Sequence, residues 1–282
     1  MTLPPPGGGS YHGYVRWPFT LALALTGCGF TPGRLAASTD GGATSDADAL
    51  ATDGPPLDAA VRVSDGLVAL YTFEEGAGTT VVDRSGVGTA LDLTIANPTN
   101  VTWGDGTLTI VTDTLVASPA VATKVLDACR AADAMTLEAW ITPSVVGGFF
   151  PRVVTLSASN NDLAATLMAI DSHFEFRMLG PMTDANGLPS LNTPDNTVAL
   201  MAIHVALVSE PGGMRRTYVD GVERATDGRG GDLASWGTQH RLGLGNEIDG
   251  GRPWLGTFDL VAIYSRALTA SEIAQNRTAG PR

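Results

Sequence analysis

Few side chains in this sequence are spaced for covalent chemistry. The four histidines, His12, His173, His204 and His240, never fall at the i, i+4 spacing that turns two imidazoles toward one metal ion. Neither Gly-x-Ser-x-Gly, which lifts a nucleophilic serine onto a sharp turn, nor His-Glu-x-x-His occurs. Gly243-Leu244-Gly245 lacks the third glycine and the following helix of a nucleotide fingerprint, and GRGGD (228–232) is one calcium-type turn without a repeat partner. What remains is suited to binding. Trp236 and Trp254 stand beside glycines rather than in alternating runs, near Asn246, Glu247 and Asp249. An indole platform flanked by amides and acids fits the face and hydroxyls of a sugar. Trp254 also opens a strand, where it would instead staple the sheet.

One acid and two cysteines need a separate account. Asp259 lies in a strand apolar on both faces, with no cation close in sequence, and a buried carboxylate needs a partner. Cys129 follows Val121 and Val125 at i, i+4, i+8, which makes it a small apolar residue on one helical face. Cys28 is different. The run Trp17 to Leu25 is about half the roughly 20 residues needed to cross a bilayer, and Leu25-Thr26-Gly27-Cys28 directly after it resembles the lipobox of bacterial lipoproteins. That resemblance implies a signal peptide over residues 1–28, cleavage before Cys28 and acylation of Cys28. The other reading, a buried cysteine in a globular helix, leaves Cys28 without chemistry. The leader departs from the usual pattern in having Arg16 as its only cation, behind a Pro/Gly-rich opening.

The formal charge of −12 repels nucleic acid and anionic lipid, and residues 1–28 hold no acid, so cleavage leaves the remainder more acidic still. Residues 29–64 are Ala, Asp, Gly, Thr and Pro without apolar periodicity. Such a segment cannot bury enough surface to offset its chain entropy, so it reads as a tether, holding a head roughly 30 to 36 Å from its anchor as a flexible coil.

From Asp65 the texture becomes short alternating runs separated by Gly, Asp, Asn and Pro, which predicts an all-β sandwich over 65–282 with one or two short helices. MTLEAWIT puts Met135, Leu137, Ala139 and Ile141 on one face and Thr136, Glu138 and Trp140 on the other. Trp140 reads as packing. RRTYVDGVERAT predicts a hairpin turning on Asp220-Gly221, a dipeptide that tolerates two positive φ angles. NTVALMAIHVALV reads as one long strand, and LTASEIAQN as a helix in which Thr269 and Glu272 form a capping box.

Taken together these stretches resemble the laminin G-like, concanavalin A-type jelly-roll domains of bacterial surface proteins. GLVALYTFEEGAGTTVVDRSG (66–86) resembles their opening strand, MTLEAWITP their central strand, IHVALVSEPGGMRRTYVDGV their His-Val-Ala strand and hairpin, and GTFDLVAIYSRALTASEI their closing strand and helix. The resemblance implies a two-sheet antiparallel jelly roll. It implies a hydrogen-bonded structural role for His204, and one structural Ca2+ held by Glu75, Asp83 and Asp259. The alternative, in which Asp259 and Asp83 accept backbone amides at turns, stays open. Leu260 replaces the glutamate that usually follows Asp259, and the Asn/Asp-rich stretch after the opening Asp-x-Ser-Gly is thinned to VGTALD. The Glu-x-Asp-x-x-Glu cluster of related glucanases, which faces two acids onto one sugar, is absent.

The expectation is therefore a non-enzymatic binding module, lipid-anchored in a bacterial cell envelope at the outer membrane or cell surface. Its ligand would be a glycan or glycosylated surface, contacted by Trp236, Trp254, Asn246 and Asp249. A structural domain docking a surface protein is the second reading and a glycan-active enzyme the third.

Overall fold

The computed structural model describes residues 61–282. Cys28, the leader and nearly all of the expected tether lie outside them.

Among the described residues the chain forms sixteen strands and two α-helices. The strands are β1 (Leu67–Tyr71), β2 (Thr80–Val81), β3 (Leu93–Ile95), β4 (Val101–Gly104), β5 (Thr107–Ile110), β6 (Val116–Ala117), β7 (Met135–Pro143) and β8 (Arg152–Ser159). They continue as β9 (Asp162–Ile170), β10 (His173–Met178), β11 (Leu191–Asn192), β12 (Ile203–Ser209), β13 (Arg215–Val219), β14 (Val222–Asp227), β15 (Arg241–Leu244) and β16 (Gly256–Tyr264). Helix α1 spans Thr123–Ala132 and α2 Ala270–Ala279. All pairings are antiparallel. The first sheet runs β14-β13-β12-β7-β16-β5-β4, with β1 also on β16, and the second runs β11-β10-β9-β8-β15-β6-β3-β2. This is the expected two-sheet sandwich.

Alternation decides which side of each strand meets the core. Met135, Leu137, Ala139 and Ile141 of β7 enter the large cluster that also takes Val154, Leu156, Ala165, Leu167, Phe174 and Phe176 from the second sheet. The opposite face of β7 is buried too. Ala206, Val208, Tyr218, Leu260, Ala262 and Tyr264 form a second cluster with Leu268 and Ile273 of the α2 segment, against which Trp140 packs half-buried. Helix α1 buries Val125, Leu126 and Cys129, and burial pushes the Cys129 thiol up to about 12. It is a packed hydrophobe.

Local signals hold where they were strongest. Asp220 and Gly221 take φ of 51° and 78° between paired Val219 and Val222, and Thr269 and Glu272 cap α2 reciprocally. The strand expected from Asn196 begins only at Ile203, while Leu200 and Met201 stay 62% exposed. Its ladder partner explains this, since β12 pairs with β7 from Ile203↔Ile141 onward and β7 ends at Pro143. The packed body also starts before Asp65. Val63 is buried, its amide donating to Asn276 Oδ1 at 2.8 Å, and Arg62 reaches Glu138, so the tether boundary at residue 64 falls at least two residues too late. Low apolar content hid these residues, which are held mainly by polar contacts.

Strand β16 changes partners along its length, pairing with β5 through Gly256–Phe258 and with β1 through Val261–Tyr264. Its register against β7 slips between Phe258 and Leu260, which makes Asp259 the bulged residue at the changeover.

Candidate functional site

The structure does not gather the sequence-predicted ligand residues on a surface. Trp236 is 1% exposed, and its Nε1 donates to the Leu179 carbonyl at 3.0 Å. Trp254 is 2% exposed and lies 4.8 Å, centroid to centroid, from Phe258 in the core. Both are structural residues, not sugar platforms. The glycine near Trp254 that suggested a loop serves packing instead, because a Cβ on Gly256 would run into the indole ring. Asn246 is buried as well: its Nδ2 donates to Asp113 Oδ1 at 2.6 Å and its Oδ1 accepts the amides of Glu247 and Arg252, each at 2.8 Å. Of the four only Asp249 is exposed, its carboxylate accepting the Asn160 amide at 3.1 Å.

The three acids of the expected calcium site do not form a metal-type cluster among the described residues, where no group of three or more His, Cys, Asp or Glu able to hold a metal exists. Asp83 accepts the amides of Leu70, Ser85 and Leu91 and the Lys124 ammonium. Burial pushes its carboxyl up, but these hydrogen bonds outweigh it and hold it below the ordinary range. Glu75 accepts from the Val82 amide and Arg84. Asp259 sits at the bulge of β16, where burial raises its pKa and Oδ2 has no partner among the described residues. For Asp83 these are the turn amides of the alternative reading, whereas no amide donates to Asp259 Oδ2 among the described residues.

A different group converges on the face of the second sheet turned away from the core. On β10, Phe174, Phe176 and Met178 enter the core, so the alternate residues Glu175 and Arg177 point outward. On β8, Arg152, Thr155 and Ser157 reach Glu247, which the turn after β15 delivers across the sheet. Gly245 opens that turn at φ 74°, where a side chain would strike Ile110. The Glu247 side chain is fully buried. Its Oε2 accepts Arg152 Nε at 2.8 Å, and its Oε1 accepts the Ser157 hydroxyl, the Thr155 hydroxyl at 3.4 Å and the Ile248 amide at 3.0 Å. With donors on both oxygens and its side chain fully buried, Glu247 is a fixed strut.

Asn160 extends the network outward: its Oδ1 accepts Arg252 Nε at 2.9 Å and Arg152 Nη2 at 3.5 Å. The Arg252 guanidinium lies 4.3 Å from the centroid of Phe149 and 5.6 Å from that of Phe150, and Arg177 lies 5.2 Å from the Phe150 centroid. The two phenyl rings meet edge to face at 5.3 Å. Phe149 is 73% exposed. The result is an outward aromatic surface, braced by guanidinium groups, on a floor of buried ion pairs. Phe149, Phe150, Arg177 and Arg252 were missed in the sequence. The signal available was GGFFPR (147–152), adjacent aromatics in a glycine-led turn.

The histidines in the described body pair with acids, His204 Nε2 with Glu138 and His240 Nε2 with Asp162, each at 2.9 Å, and His173 Nδ1 lies 3.6 Å from Asp195. His204 is thus hydrogen-bonded in the interior as expected.

The Laminin_G_3 family model, of the concanavalin A-like lectin/glucanases superfamily, matches residues 115–274, more than half of the chain. The chain belongs to this superfamily. No curated protein matches the chain. Among solved structures, Trypanosoma rangeli sialidase in complex with sialic acid aligns with a TM-score of 0.55 at 18% identity, over 75% of this chain and 32% of that one. Botulinum neurotoxin type C, described as entering cells through interaction with two ganglioside molecules, aligns at 0.55 and 13% identity, over 75% and 50%. The binding domain of botulinum neurotoxin DC, in complex with rat synaptotagmin II, aligns at 0.54 and 14% identity, over 75% and 51%. The chain thus spans between a third and half of the length of these proteins, and at such identities the likeness concerns the fold. Among the described residues of this superfamily member, no helix is long and apolar enough to cross a membrane.

Proposed function

We propose that the chain is a non-enzymatic carbohydrate-binding module, tethered to a bacterial envelope through an acylated Cys28. The carrying observation is Phe149, a large apolar ring 73% exposed in the turn between β7 and β8 and backed by Arg252. A ring so placed can stack on the C–H face of a sugar, while Asp249 and the free edges of Arg252 and Asn160 reach its hydroxyls. The sialic acid and ganglioside ligands of the structural neighbours support a glycan as partner for this fold. The carboxylates at this face support binding rather than hydrolysis, because Glu247 is closed off by donors and Glu175 is paired with Arg177.

A glycan array probed with the chain should return discrete hits, and Phe149→Ala should weaken them by roughly 1 to 3 kcal/mol with an unchanged thermal midpoint. No hydrolysis products should accompany binding. A blank array with specific capture of a surface protein would replace this reading with the docking one. Cys28→Ser should shift the protein from the detergent phase to the aqueous phase, since long acyl chains hold by about 0.8 kcal/mol per buried methylene. Equal partitioning would remove the anchor.

A further inference from the structure

We infer that the ligand at this face carries a carboxylate, as an acidic sugar does, received by Arg252 and Arg177; the inference rests on the carbohydrate-binding reading. Three guanidinium groups crowd one patch of an acidic protein. Arg152 is neutralised by Glu247 at 2.8 Å and Arg177 by Glu175, whereas Arg252 has no carboxylate within 4 Å among the described residues. Asp249, the acid of the same turn, directs its carboxylate to the Asn160 amide.

The donor inventory points outward. Arg177 uses Nε on Glu175, and neither of its Nη groups has a protein acceptor among the described residues. Arg252 uses Nε on Asn160 and one Nη on the Phe149 carbonyl at 3.5 Å, leaving the other Nη without an acceptor. Both guanidiniums flank the same Phe150 ring, at 5.6 and 5.2 Å, so their unused donors share one patch beside exposed Phe149. Like charges held together raise each other's energy, and the proximity is felt at Arg152, which burial chiefly and the Arg177 and Arg252 charges additionally push below its ordinary pKa. A planar carboxylate matches paired N–H donors and relieves that repulsion. The pyranose ring bearing it would then lie over Phe149.

The test titrates the full chain with sialyllactose and with an oligogalacturonate, each beside its carboxyl-reduced form, and with a sulfated galactan oligosaccharide. At least one carboxylated probe should bind about tenfold or more tighter than its reduced form, since hydrogen bonds between charged groups exceed neutral ones by about that much. Arg252→Gln should erase the difference without moving the thermal midpoint, Arg252→Lys should restore part of it, and added salt should weaken the carboxylated probe selectively. If carboxylated and reduced forms bind alike and Phe149→Ala still abolishes both, the carboxylate inference falls while carbohydrate binding stands. If the sulfated probe alone binds, the carboxylate assignment falls. If no probe binds and Phe149→Ala changes nothing on the glycan array, both readings fall.

Discussion

Each sheet has a glutamate with a fully buried side chain paired with an arginine against its outward face, Glu138 on the first and Glu247 from the turn that crosses the second, yet the chain closes over only one of them. Glu138 accepts Arg62, His204 Nε2 at 2.9 Å and Asn276 Nδ2 at 2.7 Å. Above it lie α2 and the strap Val61–Val63, whose backbone is tied down by Gln275, Asn276 and Tyr264. Glu247 is as thoroughly bonded, but its cover is a pair of short turns whose outer surface is Phe149 and two arginines with free donors. The same device, a buried carboxylate saturated with donors, is an internal rivet where the chain's own segments complete the layer. Where they do not, it becomes the floor of an open surface. The difference lies in what is left over above the ion pair, so function is read from unused donors rather than from the pair itself.

The largest effect should come from cutting either rivet. Glu247→Ala leaves buried Arg152 uncompensated, and Glu138→Ala leaves half-buried Arg62 and buried His204 without their acceptor, so each should cost about 3 to 5 kcal/mol in chemical denaturation. For Glu138 the penalty depends on pH. Burial pushes its carboxyl up, but His204 and Arg62 outweigh this and hold it below its ordinary range. A lowered folded-state pKa means that the stabilisation is fully present above the unfolded carboxylate range and is lost as pH falls through the folded value. Wild type and Glu138→Ala should therefore converge in acid. A Glu247→Ala variant as stable as wild type would show that the second sheet's network is not a rivet, and the comparison would fail.

A smaller effect separates the two faces directly. A chain beginning at residue 65 lacks Arg62 and Val63 and with them the donor to Glu138 and the backbone bonds to Asn276 and Tyr264. It should be less stable than one beginning at 61 by about 1 to 3 kcal/mol, the order of a lost charged hydrogen bond in a buried site, with unchanged ligand affinity. Equal stability would mean the strap only rests on the sheet.

How much of this was legible beforehand follows from the range of the interactions. The β7 faces, the Asp220-Gly221 hairpin and the α2 capping box depend on residues a few positions apart, and alternation or turn chemistry displays them. The outward site depends on partners far apart in sequence, 95 residues for Arg152 and Glu247 and 92 for Arg252 and Asn160, so only the folded register brings them together. The tryptophans failed for another reason. Glycine near an aromatic reads as a loop, but Gly256 is small because Trp254 fills the space a side chain would need.

The smallest effect concerns Asp259, the bulged residue of β16 that the sequence placed in a calcium site with Glu75 and Asp83. Burial raises its pKa, only partly offset by the Arg282 charge, and Oδ2 has no partner among the described residues. A raised folded-state value works in the opposite sense to Glu138: between the unfolded and folded pKa the native state holds more protons, so stability falls as pH rises through that window. Asp259→Asn removes the ionised form and should raise the thermal midpoint slightly at pH 7. The gain should vanish in acid below the ordinary carboxylate range, where wild-type Asp259 is neutral in both states. A bound cation would reverse the sign, because millimolar calcium would then raise the wild-type midpoint and leave the variant unmoved. Melting both proteins at pH 7 and in acid, with calcium and with chelator, decides between the two. An Asn variant that melts lower than wild type only when calcium is present would restore Asp259 as a ligand and show that the bulge is shaped for a metal.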